Sequence, residues 1–341
     1  MFLFLVKLYK LMFMTSMVSG TLISVSSYSW LSMWMGLEIN LLSVIPIFSE
    51  KKNVFSTEAS MKYFITQAMA SLILLMSVIM LLLTNEFINP LMNSTLMLML
   101  NSALMIKLGA APFHFWFPEV IEGLSWNNVL ILLTWQKIAP MMLMMNNKMN
   151  DQFMMSIMVM SLLTSTIMGF NQTSLRKIMA FSSINHIAWM IAAMMVSSPV
   201  WLIYFTIYTI INLNIIMMFK KSNSYYINQM NNSMNKNKLI KLSFMINFLS
   251  LGGLPPFLGF MPKWIIINWM TEMNLMIMAL MMIITTLIML YIYTRIILSA
   301  MMMFTIEMKT SQTKINSTTM TLINMTTLIG LMSCTYLFNS F

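Results

Sequence analysis

The chain has 341 residues, of which 59% are hydrophobic and only 8% charged, and its formal net charge is +10. A water-soluble protein carries about a quarter charged residues, so this composition excludes a soluble globular or soluble catalytic domain. In a bilayer, backbone polar groups are satisfied within α-helices. We therefore predict an all-α integral membrane protein with about 11 transmembrane helices.

Hydropathy divides the chain into eleven apolar spans of about the roughly 20 residues that cross a bilayer. In chain order they cover residues 3–25, 28–48, 59–83, 91–109 with an extension to 117, 127–145, 152–170, 175–196, 200–219, 239–260 with an extension to 269, 274–299 and 319–337. The only long polar connection, residues 220–238, follows span 8.

Basic residues are distributed unevenly between alternate loops. The loops after even-numbered spans hold eleven of them, whereas the loops after odd-numbered spans hold only Lys148. The eleven are Lys51, Lys52, Arg176, Lys177, Lys220, Lys221, Lys236, Lys238, Lys241, Lys309 and Lys314. Because basic loops stay on the side of synthesis, we expect the N-terminus on that side, which is the matrix if the chain is mitochondrial. The C-terminus is then expected on the intermembrane-space side.

Four ionisable residues lie deep in apolar sequence: Glu38, Lys107, Lys137 and His186. Glu38 is ten residues from either end of span 2, about 15 Å deep at about 1.5 Å per residue. Charges at that depth are costly and are retained where they pair or line a hydrated path. A static ion pair is the alternative for Glu38 and Lys137, and a simple hydrogen bond to a neighbouring helix is the alternative for His186.

Spans 4 and 9 are interrupted by helix breakers, in KLGAAPFHFWFP and LSLGGLPPFLGFMPKW. Paired interrupted helices in two halves indicate a binding site in transporters. Because the spans are five apart, they run in opposite directions, which predicts inverted five-helix repeats over residues 1–145 and 146–300, followed by a C-terminal segment, 301–341. The repeat pairs Lys107 with Lys263 and Glu38 with His186.

Other compositional features exclude further classes of function. The single cysteine, Cys334, cannot build a disulfide, a cysteine-ligated zinc site or an iron–sulfur cluster, so we expect no redox centre in this chain. The basic residues fit membrane orientation, and nucleic-acid binding is not expected. The 48 methionines and the scarcity of arginine indicate an A+T-rich organelle genome.

Several segments together closely resemble the subunit 2 family of mitochondrial NADH:ubiquinone oxidoreductase (respiratory complex I), in its arthropod-like form. They are MGLEINLLS with Glu38, KLGAAPFHFWFPEV with Lys107, TWQKIAP with Lys137, SSINHIAWM with His186 and LSLGGLPPFLGFMPKW with Lys263. They follow one another in the same order over nearly the whole chain.

The resemblance implies an antiporter-like subunit of the membrane arm, in the mitochondrial inner membrane, that contributes to proton translocation coupled to NADH oxidation and ubiquinone reduction. It implies pumping roles for Glu38, Lys107, Lys137 and Lys263, and the depth of His186 adds it to the relay. FMN and iron–sulfur clusters are implied elsewhere in the complex, with no cofactor or metal here. The implied partners are other membrane-arm subunits, including the neighbouring antiporter-like subunit, and membrane lipids.

Two alternatives remain open from the sequence. A stand-alone cation/proton antiporter would use the same buried lysines and broken helices, without partner subunits or an electron donor. A purely structural membrane scaffold would use the buried charges only to hold helices together. Co-purification with a large flavoprotein assembly would separate a complex subunit from a solitary carrier.

Overall fold

The computed structural model describes residues 2–50, 53–84, 90–147, 150–234, 238–255 and 257–302. Within these ranges the chain forms fourteen α-helices and no β-strand, apart from one isolated bridge between Ser174 and Tyr226. The helices are α1 Phe2–Ser26, α2 Trp30–Phe48, α3 Val54–Thr84, α4 Pro90–Leu108, α5 Trp116–Gly123, α6 Trp126–Leu133, α7 Trp135–Met145, α8 Asp151–Gly169, α9 Leu175–Val196, α10 Ser198–Ser222, α11 Ile227–Met234, α12 Lys238–Gly252, α13 Phe260–Glu272 and α14 Met276–Met302.

In the described part of the chain, eight helical segments are long and apolar enough to cross a membrane, with α6 and α7 together forming one of them. They correspond to predicted spans 1–3, 5–8 and 10. The all-helical membrane architecture is therefore confirmed. Predicted spans 4 and 9 are each divided into two shorter helices, α4 with α5 and α12 with α13. Predicted span 11 lies outside the described residues, so the total of eleven stays a prediction.

The exposed surfaces of these helices are apolar, as a lipid solvent requires. Large apolar side chains such as Leu72 on α3 and Ile277 on α14 are 65% and 80% exposed. By contrast, α9 is buried along nearly its whole length. The buried residues of α9 include the polar Ser182, Asn185 and His186, and polar side chains of membrane helices face other helices rather than lipid, so α9 is a central helix and α3 and α14 are peripheral.

The chain divides into two compact units, Met1–Ile157 and Met158–Phe341. In the first, α1 packs along α2, α3 packs on α2, α4 and α5, and α7 packs on α4, α6 and α1. The backbones of α1 and α2 come close at Gly36, where an added Cβ would lie 2.6 Å from the Ser24 amide nitrogen. A side chain larger than hydrogen at this point would push the two helices apart.

In the second unit, α9 packs on α10 and α13, and α10 also packs on α12 and α13. Helix α14 packs on α11, α12 and α13. The turn between α10 and α11 is left-handed at Asn223, with φ of 49°, a conformation that asparagine tolerates better than most residues. The unit thus surrounds the break between α12 and α13 with three longer helices.

Candidate functional site

Three lysine side chains are buried within the described helices, at the positions that the sequence predicted. Lys107 is 7% exposed, Lys137 is 2% exposed and Lys263 is 6% exposed. The first two lie in the first unit and the third lies in the second unit. Long charged side chains are almost never fully buried without polar partners, so the surroundings of each lysine matter.

Lys107 lies in the last turn of α4 and lines a small cavity with polar walls. The other polar side chains around the cavity are Asn40, Tyr63, Gln67 and Gln136. The cavity holds about 10 Å³ of space, which is about what one water molecule needs. Lys107 therefore shares this cavity with four hydrogen-bonding side chains as well as with Leu37, Leu41 and Pro140.

Glu38, another deep ionisable residue of the first unit, lies in the middle of α2 and is partly buried. Glu38 and Lys107 interact electrostatically. The Lys107 nitrogen and the Glu38 carboxylate oxygens are, however, more than 4.0 Å apart, which is the limit for an ion pair. Within the described residues, Glu38 and Lys107 therefore do not form an ion pair. The carboxylate acts on the ammonium from a distance.

The helix break after Lys107 is stabilised by backbone and side-chain hydrogen bonds. Gly109 has φ of 75°, which glycine adopts without steric cost, and its amide donates to the Met105 carbonyl at 3.0 Å. Trp116 Nε1 donates to the Ile106 carbonyl at 3.1 Å, and Gln67 Nε2 donates to the Lys107 carbonyl at 3.4 Å. Carbonyls at the end of α4 are thus satisfied by side chains.

Lys137 lies in the first turn of α7, just after an interruption at Thr134. The Thr134 Oγ1 donates to the Leu130 carbonyl at 2.7 Å, and the Lys137 amide donates only three residues back, to Thr134, at 3.3 Å. The Lys137 ammonium lies 5.8 Å from the ring centroid of Phe117. A cation over an aromatic face is stabilised by the ring quadrupole, so Phe117 provides part of its environment.

An amide pair that the sequence reasoning missed joins α2 to α7. Asn40 Nδ2 donates to Gln136 Oε1 at 3.1 Å, and Gln136 Nε2 donates back to Asn40 Oδ1 at 3.0 Å. The Tyr63 hydroxyl donates to the same Gln136 oxygen at 3.3 Å. The available signal was the amides in MGLEINLLS and TWQKIAP, which are costly in an apolar span without partners.

Lys263 lies in the first turn of α13 and points back at the end of α12. Its Nζ donates to the Gly252 carbonyl at 2.9 Å and to the Leu251 carbonyl at 3.4 Å, and it lies 5.6 Å from the Trp189 ring centroid. A cation at a helix C-terminus interacts favourably with the last carbonyls. The ammonium therefore caps the broken helix.

The two helix breaks have the same backbone hydrogen bonding, but they hold their lysines differently. Gly253 has φ of 76° and donates to Leu249, four residues back, as Gly109 does to Met105. Lys107 lies two residues before its glycine, whereas Lys263 follows its glycine by ten. The position that matches Lys107 in the second break is Leu251, whose carbonyl Lys263 contacts.

His186 is 5% exposed on α9, and its Nδ1 lies 2.8 Å from the Tyr204 hydroxyl on α10. Its ring centroid also lies 5.1 Å from that of Tyr208. This arrangement has the hydrogen bond to a neighbouring helix that the simpler interpretation expects. A proton-relay role for His186 stays a prediction.

Metal-ligating side chains are not grouped in the part of the chain that the structure describes: three or more His, Cys, Asp or Glu nowhere come together there as a possible metal site. Cys334 lies outside the described residues, as do the predicted loop residues Lys51, Lys52, Lys148, Lys236, Lys309 and Lys314.

Comparisons with known proteins give this arrangement a family. The family model described as "NADH:quinone oxidoreductase/Mrp antiporter, TM" matches residues 27–289. The chain is 50% identical over 298 residues to NADH-ubiquinone oxidoreductase chain 2 of Anopheles gambiae, with 87% of each chain covered. It is 44% identical over 300 residues to the protein of that name from Locusta migratoria, with 86% of each chain covered.

The fold is also found in solved membrane complexes. A chain of respiratory complex I from Thermus thermophilus with bound aureothin matches with a TM-score of 0.85 at 20% identity, covering 96% of this chain and 78% of that one. A chain of the Mrp complex from Dietzia sp. matches with a TM-score of 0.71 at 15% identity, covering 82% and 58%. At such identities the likeness concerns the fold alone. Because the family model spans most of the chain and an insect relative shares half of the aligned residues, the chain belongs to the NADH:quinone oxidoreductase/Mrp antiporter family and, within it, to the NADH-ubiquinone oxidoreductase chain 2 proteins.

Proposed function

We propose that this chain is a core membrane-arm subunit of respiratory complex I and contributes to proton translocation across the mitochondrial inner membrane, coupled to NADH oxidation and ubiquinone reduction. The observation that carries the proposal is the burial of three lysine side chains, at 2–7% exposure, inside helical membrane units. Intramembrane ionisable groups are most often parts of ion or proton pathways. The electron carriers, FMN and iron–sulfur clusters, would then belong to other subunits.

The proposed proton-carrying group of the first unit is Lys107, with Glu38 as its modulator. The carboxylate stabilises the ammonium by charge attraction that acts over more than contact distance. If Glu38 is neutralised or moves away, that attraction is lost and Lys107 releases its proton more readily. The polar cavity beside Lys107 provides space and hydrogen-bonding groups for the transfer.

Lys137 and Lys263 are the further proposed relay groups. Lys137 would receive and pass on a proton within the first unit, where it lies over the Phe117 ring. Lys263 would exchange protons with the distal side or with the neighbouring antiporter-like subunit. Its ammonium has two carbonyl partners when charged, and in the neutral amine form it would lose the attraction to these dipoles. His186 is proposed as an auxiliary group because of its bond to Tyr204.

The finer architecture belongs to the same proposal. Inverted repeats over residues 1–145 and 146–300, eleven transmembrane helices, a matrix N-terminus and an intermembrane-space C-terminus are supported by the alternation of basic loops. The shared hydrogen bonding at Gly109 and Gly253 also supports the repeat. The sidedness is tested by adding a membrane-impermeant label to closed vesicles of known orientation and measuring which terminus reacts.

The test of function is Lys137→Met in the assembled complex in closed vesicles. We expect a lower proton-to-electron stoichiometry or slower coupled turnover, because the thioether fills the space but carries no proton. Lys10→Met is the matched control, since Lys10 is exposed, and we expect it to behave as the unchanged protein. An unchanged stoichiometry and rate in Lys137→Met would exclude the relay role, as the scaffold alternative requires. Purification of the chain without a flavoprotein assembly would favour the stand-alone antiporter.

A further inference from the structure

The amide pair of Asn40 and Gln136 is placed next to the two charged residues of the proposed pathway. Asn40 follows Glu38 by two residues on α2, and Gln136 directly precedes Lys137 on α7. The two hydrogen bonds, of 3.1 and 3.0 Å, connect residues that are 96 positions apart in the chain. We call Asn40, Gln136 and Tyr63 the amide clasp.

Two residues of the clasp are buried, Gln136 is partly buried, and the geometry is fixed by more than one bond. Asn40 is 4% exposed and Tyr63 is 3% exposed. Because each amide both donates to and accepts from the other, neither can rotate without breaking both hydrogen bonds. The Tyr63 hydroxyl makes a third bond, at 3.3 Å, to the Gln136 oxygen. Buried polar groups that are satisfied in this way rigidify their surroundings.

The backbone hydrogen bonding at the start of α7 departs from the regular helical pattern, so side-chain bonds have more influence there. The Lys137 amide makes a three-residue bond to Thr134, and Thr134 has φ of −113° and ψ of −70°. Pro140 has no amide proton, so the regular bond back to the Gln136 carbonyl cannot form. The first turn of α7, which carries Lys137, therefore lacks part of its helical hydrogen bonding at both of its ends.

The clasp also forms one wall of the cavity beside Lys107. Asn40, Tyr63 and Gln136 all line that cavity, together with Pro140. A displacement of α2 that changes the distance from Glu38 to Lys107 would thus pull on the first turn of α7 through the same two amides. The neutral side chains of the clasp thus connect Glu38, Lys107 and Lys137.

We propose that the amide clasp is a positioning element, which holds the Lys137 turn of α7 in register with Glu38 on α2 and so sets the rate of proton transfer. This inference rests on the proposed function. It adds Asn40, Gln136 and Tyr63 as residues that carry no transferred charge and act through the lysines.

The test exchanges the two amide side chains. Asn40→Gln makes one arm of the clasp a methylene longer, and Gln136→Asn makes the other arm a methylene shorter, so each single variant misplaces the paired amides. The double variant N40Q/Q136N restores the total length. In closed vesicles, we expect each single variant to lower the initial proton-translocation rate about fivefold, as the loss of about one hydrogen bond implies. We expect the double variant to recover to within about twofold of the original rate.

A matched control comes from another buried amide pair in the same unit. Asn147 Nδ2 donates to Asn101 Oδ1 at 3.3 Å, and neither residue lines the cavity beside Lys107. Asn101→Gln is expected to leave the translocation rate per assembled complex unchanged. A Tyr63→Phe variant, which removes only the third bond of the clasp, is expected to lower that rate by about threefold to fivefold.

The outcomes separate the clasp from general folding effects and from the proposed function. Single variants with unchanged translocation rates would overturn the inference. A double variant whose rate is reduced by the product of the two single reductions would overturn it as well. If the single variants do not assemble, the amount of assembled complex is measured instead of the rate. Recovery of that amount in N40Q/Q136N supports the clasp, and no recovery overturns it. Lys137→Met is measured alongside. If Lys137→Met loses translocation and the clasp variants keep the normal rate, only the clasp is rejected. If Lys137→Met keeps the normal rate, the proposed relay itself is rejected.

Discussion

Replacing Gly253 with alanine would test whether the helix break in the second unit holds Lys263 in place. Gly253 has φ of 76°, where residues with a side chain are strained. A Cβ at this position would lie 2.8 Å from both Cδ and Nζ of Lys263. The substitution therefore combines a backbone penalty with displacement of the ammonium from the Gly252 carbonyl, which it contacts at 2.9 Å.

The expected cost can be built from these two contributions. A left-handed alanine costs about 1–2 kcal/mol. Loss of a hydrogen bond from a charged donor costs about 1.5–3 kcal/mol. We therefore expect Gly253→Ala to lower the free energy of unfolding by about 2.5–5 kcal/mol, and to slow proton translocation because Lys263 is displaced.

A double-mutant cycle with Lys263→Ala separates the two contributions. In a chain that already lacks the lysine side chain, Gly253→Ala should cost only the backbone part, about 1–2 kcal/mol. The free energy of unfolding can be followed by pulse proteolysis of the chain in the purified complex, over a series of denaturant concentrations. Gly253→Asn provides a control, because asparagine tolerates a left-handed backbone but still carries the Cβ that meets Lys263.

Equal costs of Gly253→Ala with and without the lysine side chain would exclude the predicted coupling between Gly253 and Lys263. That result would mean that Lys263 moves aside freely and that its carbonyl contacts contribute nothing measurable. A Gly253→Asn variant as stable as the original chain would exclude the steric contact as well.

Three further substitutions can be measured with the same proteolysis assay. Gly36→Ala should destabilise the chain by about 1–3 kcal/mol, as overpacking does, because its Cβ would lie 2.6 Å from the Ser24 amide nitrogen. A Gly36→Ala variant as stable as the unchanged chain would show that α1 and α2 separate easily. Tyr204→Phe removes the hydroxyl that lies 2.8 Å from His186 Nδ1 and should cost about 0.5–1.5 kcal/mol, with no cost disproving that the bond contributes. Phe117→Leu removes the ring 5.8 Å from the Lys137 ammonium, and its free energy of unfolding should fall by up to about 2 kcal/mol more than the lost apolar area alone accounts for. In a chain that already carries Lys137→Met, this excess should disappear. An excess that persists there would contradict the cation–ring interaction.

Much of the membrane organisation could be predicted because it depends on short-range sequence. Apolar length decides which segments cross a bilayer, and the predicted spans 1–3 agree with α1, α2 and α3 to within a few residues, apart from an earlier start of α3. Burial of Lys107 and Lys137 was predicted from their depth in apolar sequence, and burial of Lys263 from the repeat that pairs it with Lys107. Glycine and proline act locally, so their effect on spans 4 and 9 was visible without a fold.

The partners of those residues could not be predicted, because side-chain direction and helix packing decide them. The sequence placed Glu38 and Lys107 deep in separate spans, but only the tertiary structure shows that their charged groups lie beyond ion-pair distance. The sequence paired Lys107 with Lys263, but only the structure shows that Lys263 turns back to the carbonyls of α12.

The sequence by itself determined that this is a helical membrane protein, and it indicated which segments are long and apolar enough to cross a bilayer and which charged side chains are buried. These properties depend on the composition of about twenty consecutive residues and on the rise of a helix. The tertiary structure alone decided that Asn40 meets Gln136, that Tyr63 joins them and that the turn with Lys137 is held from α2. Such contacts join residues far apart in the chain, and they form only when packing brings particular faces of separate helices together.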